Sequence, residues 1–151
     1  MATVKNRVAV LHGVNFDVLE RRDAAIYGGL SLSQLEAEIS GWAHELQLEP
    51  IFFQTNAEGE FCEYLHRSAE LADSVIVNAG AWTHYSWAIR DALDLTGVPT
   101  VEVHLSDISQ REEWRRHSVF EGLDLVIGQV YGKGPDGYRD ALELIAKRSA
   151  T

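Results

Sequence analysis

Short, continuously apolar runs alternate with amphipathic stretches along this chain. Val8 to Leu11, Pro50 to Gln54, Val75 to Val77, Thr100 to His104 and Leu123 to Val130 read as strands. Runs without polar alternation belong to strands buried on both faces. Between them, Ser31 and Gln34 form a capping box that opens a helix bearing Leu32, Leu35, Ile39, Trp42 and Leu46 at three- and four-residue steps. A second helix carries Phe61, Leu65 and Ala69. A third runs from about Tyr85 to Leu95 and stops at Gly97, and a last one carries Tyr138, Ala141, Leu142 and Ile145. His12 to about Leu30 reads as a polar loop, and the arginine-rich segment after His104 as irregular chain with one short helix. This alternation predicts an α/β fold: a flavodoxin-like, doubly wound, five-stranded parallel sheet of order 2-1-3-4-5. With no repeat, low-complexity segment or linker, residues 1–151 form one expected domain.

That strand order predicts where a ligand would bind. Open sheets of this type hold ligands beyond the carboxyl ends of their strands, where the winding reverses. Strands 1, 3 and 4 are neighbours, so His12 and Asn15, Asn78 and His84, and Glu102, His104 and Ser106 converge. Glu102 and His104 are two apart on a strand and share one face, while Val101 and Val103 take the other. A carboxylate beside an imidazole is a proton-transfer pair, which core packing alone does not require.

Composition narrows the classes. The net charge of −10 over 151 residues argues against general binding to nucleic acid or an anionic membrane. Yet Arg21, Arg22, Arg111, Arg115 and Arg116 fall in two tight groups, either solvated loop charges or a pocket for a small anion. The single cysteine, Cys62, allows no intrachain disulfide and no thiol metal cluster. No targeting segment or long apolar span is evident, so a soluble, cytoplasmic protein is expected.

Several chemistries lack their motifs. His12-Gly13-Val14-Asn15 has neither dinucleotide glycine spacing nor a phosphate-binding Gly-Lys-Ser/Thr, and no Gly-x-Ser-x-Gly elbow occurs. His84, Glu102 and His104 would make an open three-ligand zinc set, though no paired helical histidine spacing supports it. Tyr27 stands out, with Arg21 and Arg22 before it and Gly28 and Gly29 after it. A tyrosine acting as a base must react as phenolate, and one guanidinium at about 4 Å contributes roughly 4 kcal/mol at an effective dielectric of 20. Arg22, together with Arg111, would supply that charge, and the glycines would let a lid close.

Taken together, these stretches resemble the type II 3-dehydroquinate dehydratases (type II dehydroquinases). The resemblance runs from about Val8 to Ile145. It is carried by Asn78-Ala79-Gly80-Ala81-Trp82-Thr83-His84, Ala88-Ile89-Arg90-Asp91-Ala92, Val101-Glu102-Val103-His104-Leu105-Ser106, Arg111 to Ser118, and the loop ending Tyr27-Gly28. It implies anti elimination of water from a cyclic 3-oxo acid through an enolate, with no metal or cofactor. By the same resemblance, Tyr27 is the base, held as phenolate by Arg22 and Arg111. Asn15 positions a water at the enolate, and His104, oriented by Glu102, is the acid. Asn78 and the amides of Leu105 and Ser106 hold the carboxylate, and His84 and Arg115 bind ring hydroxyls. Asp91 reaches a neighbouring subunit's site in a dodecamer built from trimers. Lys5, Lys133 and Lys147 lie in polar surroundings near ends or turns, which disfavours the imine route of the unrelated type I enzymes.

The chain also departs from the family pattern. Where the family reads Asn-Gly-Pro-Asn-Leu-Asn, this chain has His12-Gly13-Val14-Asn15-Phe16-Asp17. Asp107 replaces an asparagine after the serine, and Glu20 a glycine in the lid. Loss of proline is expected to free the backbone, His12 to add a titratable group near the site, and Asp107 to place negative charge close to the substrate. These changes leave room for a paralogue acting on a related carboxylated ring, or for an inactive ligand-binding relative. The pathway served, biosynthetic or catabolic, is open at this level.

Overall fold

The computed structural model describes residues 6–149. Five parallel strands, β1 (Arg7–His12), β2 (Glu49–Gln54), β3 (Ser74–Asn78), β4 (Thr100–His104) and β5 (Val126–Tyr131), form one sheet of order 2-1-3-4-5. Between β1 and β2 come a four-residue helix, α1 (Ala24–Tyr27), and a long one, α2 (Leu32–Glu45). Further helices are α3 (Glu58–Leu71), α4 (Trp87–Asp94) and α5 (Asp136–Ser149). The fold is flavodoxin-like, as the apolar pattern predicts.

Strand alternation sorts the interior into two cores. Val8, Val10, Ile76, Val101 and Val103 pack with Leu35 and Ile39 of α2 and Tyr138, Leu142 and Ile145 of α5. Ala9, Leu11, Val75 and Val77 face Phe61 and Leu65 of α3 and Ile89 and Leu93 of α4. The capping box at α2 forms as expected: Ser31 Oγ accepts from the Gln34 amide, and Gln34 Oε1 accepts from the Ser31 amide.

Local packing overrides the sequence pattern at several points. The segment after β1 is not simply loop, because a 3-10 turn, Phe16–Arg21, buries Phe16 and Leu19 and is followed by α1. Another 3-10 turn, Gly80–His84, occupies the approach to α4. The helix starts only at Trp87, where Ser86 Oγ caps the Ile89 amide. In α3 the interior position falls to Ser68 and Ala69 is exposed, the Ser68 hydroxyl being satisfied by the Tyr64 carbonyl at 3.1 Å. Leu123 closes a turn with Val126 and lies ahead of β5, so the last strand begins later than its apolar run. The segment after β4 holds two 3-10 turns, Ile108–Gln110 and Glu113–Arg115. No helix among the described residues is long and apolar enough to cross a membrane.

Candidate active site

The carboxyl ends of β1, β3 and β4 and the segments that follow them enclose a cavity of about 210 Å³. Asn15, Arg22, Tyr27, Asn78, His84, His104, Leu105, Ser106 and Arg115 all line it. Strands far apart in sequence deliver these side chains because the parallel order sets their ends side by side.

Glu102 and His104 project from one face of β4, as strand alternation requires, and are 2 % and 5 % exposed. His104 Nε2 lies 2.6 Å from Glu102 Oε2, which also accepts from the Ser118 hydroxyl at 2.8 Å. A carboxylate can only accept from the imidazole, so Nε2 carries a proton and Nδ1 is the atom left for the cavity. Ser118 is held in turn by the segment 117–121, which Arg90 of α4 fastens through the carbonyls of Val119 and Glu121.

Tyr27 ends α1, whose start is capped by Asp23 and whose end turns at Gly28 with φ of 92°. Its hydroxyl accepts from Arg22, whose guanidinium lies 4.2 Å from the ring centroid, and from Arg111 Nη1 at 2.9 Å. Arg111 Nη1 also reaches Ser106 Oγ at 3.2 Å. Two guanidiniums thus converge on one phenol oxygen. Arg111 acts from behind Tyr27, on the side of a neighbouring hollow, and is not part of the cavity wall.

Asn15 adopts the left-handed conformation, φ 73°, which asparagine tolerates better than most residues, and Asn56 Oδ1 accepts from its amide at 2.8 Å. His84 Nδ1 donates to the His117 carbonyl at 2.7 Å, and its ring faces His104 with centroids 6.1 Å apart. Burial lowers the His84 pKa, partly offset by that carbonyl. Arg115 is fixed by Glu112 at 2.8 Å and stacks on Trp114, and the Arg115 hydrogen bond is the main reason the Glu112 carboxyl falls to about 2. Pairing of β4 with β5 ends at His104, so Leu105 and Ser106 lie past the ladder. Their carbonyls are taken by Gly134 and Gly132, and both residues border the cavity.

The sequence matches the class II dehydroquinase family model over residues 6–146. The chain belongs to this family. It is 50% identical over 141 residues to the 3-dehydroquinate dehydratase of Syntrophotalea carbinolica, spanning 93% of each chain. It is 43% identical over 145 residues to that of Pelotomaculum thermopropionicum, covering 96% of this chain and 99% of the relative. The type II dehydroquinase of Propionibacterium acnes superposes with a TM-score of 0.88 at 36% identity, covering 97% of this chain and 99% of that one.

For a member of this family, the departures noted in the sequence fall in informative places. His12, Val14, Glu20 and Asp107 do not line the cavity, whereas Phe16 does. His12 adds no titrating group at working pH, because complete burial pushes it down to about 3. Asp107 puts no carboxylate on the cavity wall, because its Oδ1 caps the following turn through the Ser109 amide and hydroxyl. On either side of Val14, which stands where the family has proline, the Gly13 amide bonds the Asn78 carbonyl at 2.9 Å and Asn56 holds Asn15. Asp91 lies on the exposed side of α4, outside this cavity. Arg21 and Arg116 are exposed and off the cavity wall.

The zinc set suggested by His84, Glu102 and His104 is not assembled: His104 Nε2 and Glu102 Oε2 are bonded to each other, and His84 Nδ1 to the His117 carbonyl. Among the described residues no cluster of His, Cys, Asp and Glu is arranged to hold a metal ion. Lys133 pairs with Asp140 and Lys147 lies on the outer surface by β5, while Lys5 lies outside the described residues. Sequence reasoning missed Ser118 as a partner of Glu102, and the apolar wall of Phe16, Leu19 and Ile108. Ser118 closes the Arg111–Ser118 stretch, but nothing local marks it as a partner of Glu102.

Proposed function

We propose that this protein is a hydro-lyase that converts 3-dehydroquinate to 3-dehydroshikimate without a cofactor. The observation that carries the reading is the Tyr27 hydroxyl held by two guanidiniums, in the same cavity as the buried Glu102–His104 pair. Tyr27, as phenolate, removes the proton beside the ketone, and the electron pair of that C–H bond passes to the carbonyl oxygen as an enolate. Asn15 orients a water that stabilises the enolate. Collapse of the enolate expels the hydroxyl on the opposite face, and His104 protonates it so that it leaves as water. Glu102 holds Nε2–H and offsets the imidazolium charge, so Nδ1 is the donating atom. Asn78 and the amides of Leu105 and Ser106 receive the carboxylate, and His84 and Arg115 take ring hydroxyls.

An acidic protein with a local arginine cluster suits a small anionic ring. Exposed Trp87 and Leu95 lie four positions either side of Asp91, on the same side of α4, which supports its burial against another subunit in a trimer-based dodecamer. The test is a spectrophotometric assay of 3-dehydroquinate that follows enone absorbance, with and without a chelator. Turnover undiminished by the chelator is expected. Tight binding of the substrate with no enone formed would overturn the reading in favour of a ligand-binding relative.

A further inference from the structure

Beneath the cavity floor, Asn78, Tyr138 and His12 form a buried chain that the proton-transfer roles leave unused. We infer that Tyr138, backed by His12, is a positioning residue that aims one N–H of the Asn78 amide at the substrate carboxylate. This rests on the role given to Asn78 above.

The argument is one of hydrogen-bond direction. The Gly80 amide can only donate, so the Asn78 atom it meets at 3.3 Å is Oδ1. Nδ2 therefore faces Tyr138, donating to its hydroxyl oxygen at 3.2 Å. The Tyr138 O–H still needs an acceptor, and His12 Nε2, 2.8 Å away, is the one in reach. His12 then accepts at Nε2 and carries its proton on Nδ1. That nitrogen is buried without a hydrogen-bond partner among the described residues, in a ring packed 4.8 Å from Phe16.

Every bond runs the same way, from Gly80 through Asn78 and Tyr138 to His12. Protonation of His12 would put an N–H against the Tyr138 hydroxyl, and full burial prevents it by holding the ring pKa near 3. With Oδ1 and one N–H committed to the protein, Asn78 has a single N–H left for the cavity it lines. The amide is thus locked as a donor, the polarity a carboxylate needs. Were it to flip, it would present an oxygen and repel the same group.

The experiment compares wild type with Tyr138→Phe, which keeps the ring and removes the hydroxyl. Two probes are titrated by calorimetry, quinate and its analogue with hydroxymethyl in place of carboxylate. Loss of the lock should weaken quinate by ~10-fold and leave the neutral analogue within ~2-fold, with KM for 3-dehydroquinate rising more than kcat falls. Equal losses for both probes, or a lower Tm with unchanged quinate affinity, would mean Tyr138 only fills space and would overturn the inference. If Tyr138→Phe does not fold, His12→Leu removes the terminal acceptor and frees the hydroxyl to turn. It should show the same carboxylate-selective loss at smaller size, and an unselective result overturns the inference equally. The probe comparison needs no turnover. It decides the role of Tyr138 even if wild type fails to dehydrate 3-dehydroquinate, an outcome that would overturn only the function.

Discussion

Tyr27 Oη and Arg111 Nη1 lie 2.9 Å apart although 84 positions separate them in the chain. Arg22, five positions from Tyr27, closes on the same oxygen. One phenol therefore draws cationic support both from its own loop and from the segment after β4. Tyr27→Phe should reduce kcat by at least ~10³-fold while leaving binding of a carboxylated ring analogue within a few-fold, since the hydroxyl is the base and the ring is retained. Near-normal turnover would remove Tyr27 from the mechanism.

The two arginines share a task, so their removal should not add simply. Arg22→Gln and Arg111→Gln should each lower kcat by ~10- to 100-fold, Arg111→Gln also raising KM because Ser106 loses its partner. The double variant should approach Tyr27→Phe. A double variant no worse than either single one would contradict shared support of the phenolate.

Glu102 accepts from His104 and from Ser118 through the same oxygen. Glu102→Gln removes the charge that balances an imidazolium and should cut kcat by ~10²-fold with little change in KM. Ser118→Ala, which spares the charge, should cost ~10-fold or less. Steady-state kinetics on both variants checks the order.

His12 is held at about 3, well below the ~6.5 of an unfolded histidine, because it is buried. The unfolded chain therefore binds the proton first, and the stability due to the neutral ring is complete above about pH 6.5 and lost as pH falls toward 3. Between pH 7 and 4 this linkage amounts to ~3 kcal/mol. His12→Asn lacks the linkage, so its stability should fall less over that interval by about that amount. Urea unfolding at the two pH values reads the difference, and equal acid sensitivity would show that His12 is not the group involved.

A Cβ on Gly13 would sit 2.2 Å from the Ala79 carbonyl oxygen, which is backbone and has little room to move. Gly13→Ala should destabilise the fold by ~3 kcal/mol and push apart the segments carrying Asn15 and Asn78, lowering both Tm and substrate affinity. An unchanged Tm would show that the strand ends have slack that the geometry denies.

Asp91→Ala tests the assembly. If Asp91 meets a neighbouring subunit's site, the variant should raise KM or shift the sedimenting species. If rate, affinity and mass are all unaltered, Asp91 has no such contact.

Much of this molecule was legible in one dimension. Mostly apolar runs with helical stripes between them pointed to five parallel strands, because strands covered on both faces lack polar alternation, and the doubly wound arrangement then supplied their order. The Ser31–Gln34 box opened α2 where expected, and the two-residue period put Glu102 and His104 on one face. Those signals act over a few residues, which is why a sequence carries them.

Other features depended on contacts between distant segments. That Phe16 and Leu19 would bury as a 3-10 turn and that Arg111 would reach Tyr27 from behind were settled by packing around the strand ends. His12 shows the division most clearly. Its place at the end of β1 was plain in the sequence, but complete burial decided that it would not titrate near neutral pH, and Tyr138, 126 positions away, supplied its hydrogen-bond partner. Periodicity and capping specify local geometry, whereas the protonation and direction of a buried polar group follow from everything the fold folds around it.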